Sequence, residues 1–140
     1  MDQYSAGIAR SSQGAFKMMQ GTLTTPLLSV VIPTYKRPQL LLSAIDSALQ
    51  AAPDRDVEVI VVPNGPDESW KTVAHSFDDH PRIRWHPIHA PNANAARNHG
   101  LSLARGKFIR FLDDDDYFLP GAIDQIEKAY NEKAEICSAP

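Results

Sequence analysis

From Leu27 onward, apolar and polar positions fall into short regular blocks. The run LLSVVIP over 27–33 is rich in β-branched residues and stopped by proline, which predicts a buried strand. Pro38 suits the first turn of a helix, and Leu41, Ile45, Ala48 and Leu49 follow at i, i+4, i+7 and i+8, a stripe that packs on a sheet. Asp54–Asp56 reads as a polar turn and VEVIVV over 57–62 as a second buried strand. PNGPDES gathers turn formers and ends in Asp67 or Ser69, either able to cap a helix carrying Trp70, Val73, Ala74 and Phe77. RIRWHPI over 82–88 alternates like a less buried strand limited by Pro87. Ala93–Arg105 reads as a helix closed by Gly106, and Lys107–Asp113 as a fourth strand. LPGAIDQIEKAY supplies a last helix with Ile123, Ile126 and Tyr130 on one face, and AEICSA over 134–139 begins what reads as a further strand. Residues 1–26 have no such pattern beyond a weak helical hint at Ala15–Met19, and read as a flexible leader before a domain over 27–140.

Strands alternating with helices at this spacing predict an α/β fold, a Rossmann-like, mainly parallel sheet with flanking helices. In such sheets ligands bind beyond the carboxyl ends of the strands. Three polar clusters fall there: PTYKRP, PNGPD and DDDDY.

Composition narrows the function. The 140 residues are 43% hydrophobic and 22% charged with a net charge of −3, enough for one core. Without a basic stripe, nucleic acid is not expected as a partner. No apolar run approaches the ~18 residues of a membrane span, and one cysteine, Cys137, excludes an internal disulfide or a multi-cysteine zinc site. The default expectation is a cytoplasmic protein.

The sharpest chemical signal is Asp113, Asp114, Asp115 and Asp116 in an apolar frame. Adjacent carboxylates at about 5–7 Å repel by roughly 2–3 kcal/mol at an effective dielectric near 20, so the cluster raises its own pKa values or recruits a cation. Tyr117 and Phe118 stand where an EF-hand loop needs an oxygen ligand and a glycine, so that motif fails. Mn²⁺ or Mg²⁺, shared between carboxylates and substrate phosphates, suits a D-x-D at a strand end better. No phosphate-binding glycine loop of the P-loop or dinucleotide type is present, which leaves charge neutralisation to the metal and to Arg97 or Lys36.

LSVVIPTYKRPQLLLSAIDSAL, VEVIVVPNGPD and NAARNHGLSLARGKFIRFLDDDDYFLPGAI together resemble the donor-binding half of a GT-A-fold glycosyltransferase. They are most similar to the inverting family-two enzymes, over roughly Leu28 to Ala139. A D-x-D alone is weak; with P-T-Y-x-R-P and A-R-N-x-G-L-x-x-A-x-G in this order it is strong. The resemblance implies metal-dependent transfer of a sugar from a nucleotide-diphosphate donor to an acceptor hydroxyl of a glycan, lipid or small molecule. Thr34 and Tyr35 match residues lining the base pocket, and Arg37 belongs to the donor-binding set. Asn64 falls where the family usually has an aspartate that hydrogen-bonds the base, since V-D-D-G-S is here VPNGP. Arg97 matches an arginine that counters phosphate charge, Asp113 and Asp114 match residues near ribose and metal, and Asp115, with Asp113, matches the metal ligands. Asp116 is expected in solvent or capping the next helix.

The catalytic base of the resembled family lies downstream of the D-x-D, so none is identified here. The chain reads as truncated after that motif, lacking its acceptor half and inactive alone, with an open sheet edge suited to self- or partner association. The alternative is a degenerate, non-catalytic transferase module that binds a partner. A phosphotransferase using a strand-end aspartate is disfavoured, because the motif ends the fourth strand rather than the first. His86 and His89 read as surface histidines, and Trp70 and Trp85 as core.

Overall fold

The first apolar run becomes strand β1 (Leu28–Thr34), with all seven residues buried. A computed structural model describes residues 25–51, 57–78 and 80–138. After β1 come α1 (Pro38–Ala51), β2 (Val57–Pro63), α2 (Trp70–Ser76), β3 (Ile83–Trp85), α3 (Ala93–Leu103), β4 (Phe108–Phe111) and α4 (Ala122–Ser138). The sheet order is β3-β2-β1-β4 and every pairing is parallel, the α/β architecture expected. Leader residues 1–24, including the helical hint at Ala15–Met19, and the Asp54–Asp56 turn lie outside the described residues, as does the Tyr130 side chain. No helix among the described residues is long and apolar enough to cross a membrane.

Side-chain alternation sorts the two central strands onto two covered faces. Leu28, Val30, Ile32, Val57, Val59 and Val61 join Leu41, Ala44, Ile45 and Ala48 of α1 in the main cluster. Val31, Ile60 and Val62 meet Ala96 of α3 on the other face. That second contact is close because residue 100 is glycine: a Cβ there would lie 2.3 Å from Val31 Cγ1. Trp70 and Trp85 stack at 5.7 Å between ring centroids and pack against the main cluster, as expected.

Gly106 corrects one expectation. The α3 helix ends at Leu103 with extended Ala104 as its C-cap, so Gly106 does not close it. A Cβ at Gly106 would sit 2.6 Å from Ser29 N, so glycine lets the connection into β4 pass against β1. β3 is also shorter than 82–88, since its regular pairing with β2 covers Ile83–Trp85 alone. Beyond it, His86 N–H still donates to Val61 O at 2.9 Å and Ile88 N–H to Pro63 O at 2.8 Å. The further strand at AEICSA does not form; α4 runs on to Ser138. Nothing between Ala122 and Ser138 breaks a helix, and Glu132, Lys133, Ala134 and Glu135 favour one over the short Ile136–Cys137 pair.

At the amino ends of the strands, Glu58 is buried on the α3 face. It accepts from Ser29 Oγ, from Arg105 N at 2.7 Å, and from Arg84 Nη1 and Arg105 Nη2 at 3.2 Å each. Arg84 also donates to Leu103 O at 3.1 Å, satisfying a carbonyl of the last turn of α3. Burial alone would raise this carboxyl, but the Ser29 and Arg105 hydrogen bonds and the two guanidinium charges outweigh it and hold it below the usual glutamate value.

Candidate functional site

At the opposite, carboxyl edge of the sheet, β1, β2 and β4 end around a cleft of about 490 Å³. Its wall contains Thr34, Tyr35, Arg37, Asn64, Arg97, Asp113, Asp114 and Asp115. The fold thus brings together the donor and metal candidates of the sequence, whereas Lys36, the alternative to Arg97 for charge neutralisation, is not on this wall.

The four aspartates do not point one way. Asp116 N–H donates to Asp113 O at 3.0 Å, closing a turn that splays the side chains. Asp113 accepts from Arg97 Nη2 at 3.0 Å, and Asp115 from Arg37 Nη1 at 3.0 Å. Asp114 turns inward and is buried, accepting from Thr34 Oγ1 at 2.9 Å, with Tyr35 N and Arg37 Nη1 both at 3.4 Å. Asp116 is exposed and accepts its neighbour Tyr117's N–H at 2.9 Å. Like-charge repulsion is therefore offset by two arginines and one set of inward hydrogen bonds. Burial pushes the Asp114 carboxyl above its ordinary value. The Thr34 bond, the Arg37 charge and the Tyr35 N–H oppose that rise, and the Asp115 charge adds to it.

Arg97 is placed by α3, whose N-cap Asn92 accepts from Asn94 N at 2.7 Å and Ala95 N at 3.1 Å. Asn94 Oδ1 then accepts from Arg97 Nη1 at 3.0 Å, bracing the guanidinium one turn along. Asn64 is buried at the end of β2, and its Nδ2 donates to Thr34 O at 3.0 Å. An aspartate has no donor for that bond. The asparagine at this position therefore ties the β1 and β2 ends together, and its Oδ1 has no protein partner among the described residues. Tyr35 is half-exposed, with its ring beside Gly65 and under Lys36 Nζ at 5.3 Å.

Asp67 is the residue that sequence reading undervalued. It was expected only as a helix cap, yet its Oδ2 accepts from Lys36 N at 2.6 Å. Ser69, the other candidate cap, makes no side-chain capping bond to α2. No linear pattern links Asp67 to Lys36, 31 residues away.

His86 and His99 meet edge to face at 6.2 Å, whereas His89 is exposed. Among the described residues no three His, Cys, Asp or Glu side chains group to hold a metal ion by themselves. Asp113 and Asp115 are the exposed carboxylates on the cleft wall. Asp113 Oδ2 and Asp115 Oδ1 have no protein partner among the described residues. Such a pair fits a hard cation that completes its shell with water and phosphate oxygens.

The family model described as Glycosyl transferase family 2 matches residues 29–139. A curated relative, GalNAc(5)-diNAcBac-PP-undecaprenol beta-1,3-glucosyltransferase of Campylobacter jejuni, is 36% identical over 110 residues, covering 76% of this chain and 35% of that protein. S. aureus TarS 1-349, solved in complex with UDP, matches with TM-score 0.66 and 22% identity over 76% of this chain and 32% of that one. The mannosyltransferase PcManGT from Pyrobaculum calidifontis, solved with GDP-Man and Mn²⁺, matches with TM-score 0.57 and 20% identity over 71% of this chain and 30% of that one. At these identities the two structures show the fold. The chain spans about a third of the length of each of these proteins.

Proposed function

We propose, from the premise that this chain belongs to glycosyl transferase family 2, that its cleft binds the nucleotide-diphosphate part of a sugar donor and forms the donor-binding portion of a glycosyltransferase. The observation that carries this reading is the meeting of Arg37, Arg97, Asp113 and Asp115 around one cleft that Tyr35 and Asn64 also line. Acids alone would repel a diphosphate and arginines alone would need no acids. The combination suits an anion that arrives with a divalent cation. The structures of TarS in complex with UDP and of PcManGT with GDP-Man and Mn²⁺ support such a ligand for a protein of this fold.

In this reading the base lies by the Tyr35 ring, and Asn64 Oδ1 accepts an N–H from its edge. Arg97 and Arg37 direct guanidinium N–H groups at the phosphate oxygens. Asp114 stays within the protein and orients Thr34 and Tyr35. Mn²⁺ or Mg²⁺ is held by Asp113 and Asp115, and when bound it supplies neutralising charge and Lewis acidity toward the leaving diphosphate. The group that deprotonates the acceptor is assigned to no residue of this chain.

A thermal-shift panel of UDP, GDP, CDP and dTDP, each with and without Mn²⁺, tests this. One nucleotide with metal, at a hundred times its Kd, stabilises by about 2.7 kcal/mol, while either component alone gives little. Asp115→Ala abolishes the shift. No response to any nucleotide–metal pair overturns the reading. A second reading, a non-catalytic module associating through β4, is favoured by the exposure of Ile109 and Phe111 on that edge. It predicts no nucleotide response and a mass that rises with concentration in sedimentation.

A further inference from the structure

Tyr35 and Arg37 bring the β1–α1 loop to the cleft and Asn64 the start of the β2–α2 loop, and one carboxylate outside the cleft joins these two loops. Tyr35 and Arg37 both line the cleft, and Lys36 between them has φ 55°, the left-handed region that an L side chain seldom adopts. Some interaction must hold it there. Lys36 N–H donates to Asp67 Oδ2 at 2.6 Å, while Asp67 Oδ1 accepts from Ser69 N at 2.9 Å and Ser69 Oγ at 2.6 Å. Asp67 is itself fixed by Trp70, whose Nε1 donates to Asp67 O at 2.9 Å. It is buried and absent from the cleft wall. Although burial alone would raise its carboxyl, the bonds from Ser69 and Lys36 outweigh that and keep it ionised.

We propose that Asp67 is a positioning residue: by accepting the Lys36 amide it holds the left-handed turn that keeps Tyr35 and Arg37 on the cleft, and so sets nucleotide affinity without touching the ligand. This inference rests on the donor-site reading for its ligand and on the loop geometry for its mechanism. Through Arg37 Nη1, which reaches both Asp114 and Asp115, the same turn also governs how the aspartates are presented. A carboxylate serving only the first turn of α2 would make the Ser69 bonds and leave Lys36 alone.

The test uses the full chain, titrated calorimetrically with UDP and in parallel with GDP, each with Mn²⁺, alongside amide NMR spectra without ligand. Asp67→Ala shifts or broadens the Tyr35, Lys36 and Arg37 amides, leaves those of Val30 and Val59 in place, and weakens nucleotide binding by about tenfold. Glycine adopts a positive φ without strain. Adding Lys36→Gly to Asp67→Ala therefore restores affinity to within about threefold of Lys36→Gly alone. Asp67→Asn, which keeps one acceptor oxygen and loses the other, gives the same pattern more mildly if the alanine variant does not fold. Unmoved 35–37 amides in the Asp67 variants, or no recovery with Lys36→Gly, overturn the proposal. If the unmutated chain binds neither UDP nor GDP, the CDP and dTDP arms of the thermal-shift panel decide the donor reading, while the spectra still decide the role of Asp67.

Discussion

Asp113, Asp114 and Asp115 are consecutive, yet one pairs with α3, one turns into the protein and one pairs with the β1–α1 loop. Their polarity at a strand end was legible in the sequence, and so was the company of Thr34, Tyr35, Arg37, Asn64 and Arg97. Which acid points where was not, because it depends on partners 16 to 80 residues away. Asp67 was missed for the same reason. The glycines make the residue scale testable. Gly100→Ala drives a Cβ to 2.3 Å from Val31 Cγ1, a valine with little room to yield, and is expected to cost about 1–3 kcal/mol in urea unfolding. At Gly106 the obstacle is the Ser29 backbone at 2.6 Å, so Gly106→Ala is expected to cost at least as much and to loosen β4 amides in hydrogen exchange.

At the scale of elements, period and punctuation located the four strands and four helices among the described residues, although the last helix runs past Tyr130 to Ser138. They failed where one weak cue stood alone. Ile136–Cys137 suggested a strand inside a stretch of helix formers, and Gly106 suggested a helix cap where a close backbone approach was the true demand. The α3 helix is the element on which the site most depends, since it delivers Arg97. Replacing its N-cap, Asn92→Ala, removes the acceptor for two amides and is expected to lower stability by about 1 kcal/mol, read from the urea midpoint. If the cleft is the proposed donor site, the same change frays the turn that braces Arg97 and is expected to weaken nucleotide binding in a calorimetric titration.

For the whole molecule, chemistry gathers at the carboxyl edge of the sheet and a buried ion network at the amino edge. The sequence showed the first as three polar clusters but hid the second, since Glu58 sits in an apolar strand with nothing adjacent to mark its arginines. Because folding lowers the Glu58 pKa, its stabilisation is complete above the usual value of 4.5 and is lost as pH falls through the lower folded value. Glu58→Gln is expected to cost about 1–3 kcal/mol at neutral pH, with the gap to the unmutated chain closing below pH 4.5 when urea midpoints are compared. Topology sets a different order of events at the other edge. Thr34 meets Asp114 across 80 residues, whereas β1 and β2 pair residues 29 apart, as Ser29 and Glu58 do. Closing the longer loop costs roughly 1 kcal/mol more in chain entropy, and only four residue pairs hold β4 to β1. Of the two ladders framing the cleft, that one opens first on warming. Ligand release should then precede the melting of the sheet, and a nucleotide spanning the seam would act as a clasp, slowing deuterium uptake in β4 before anywhere else.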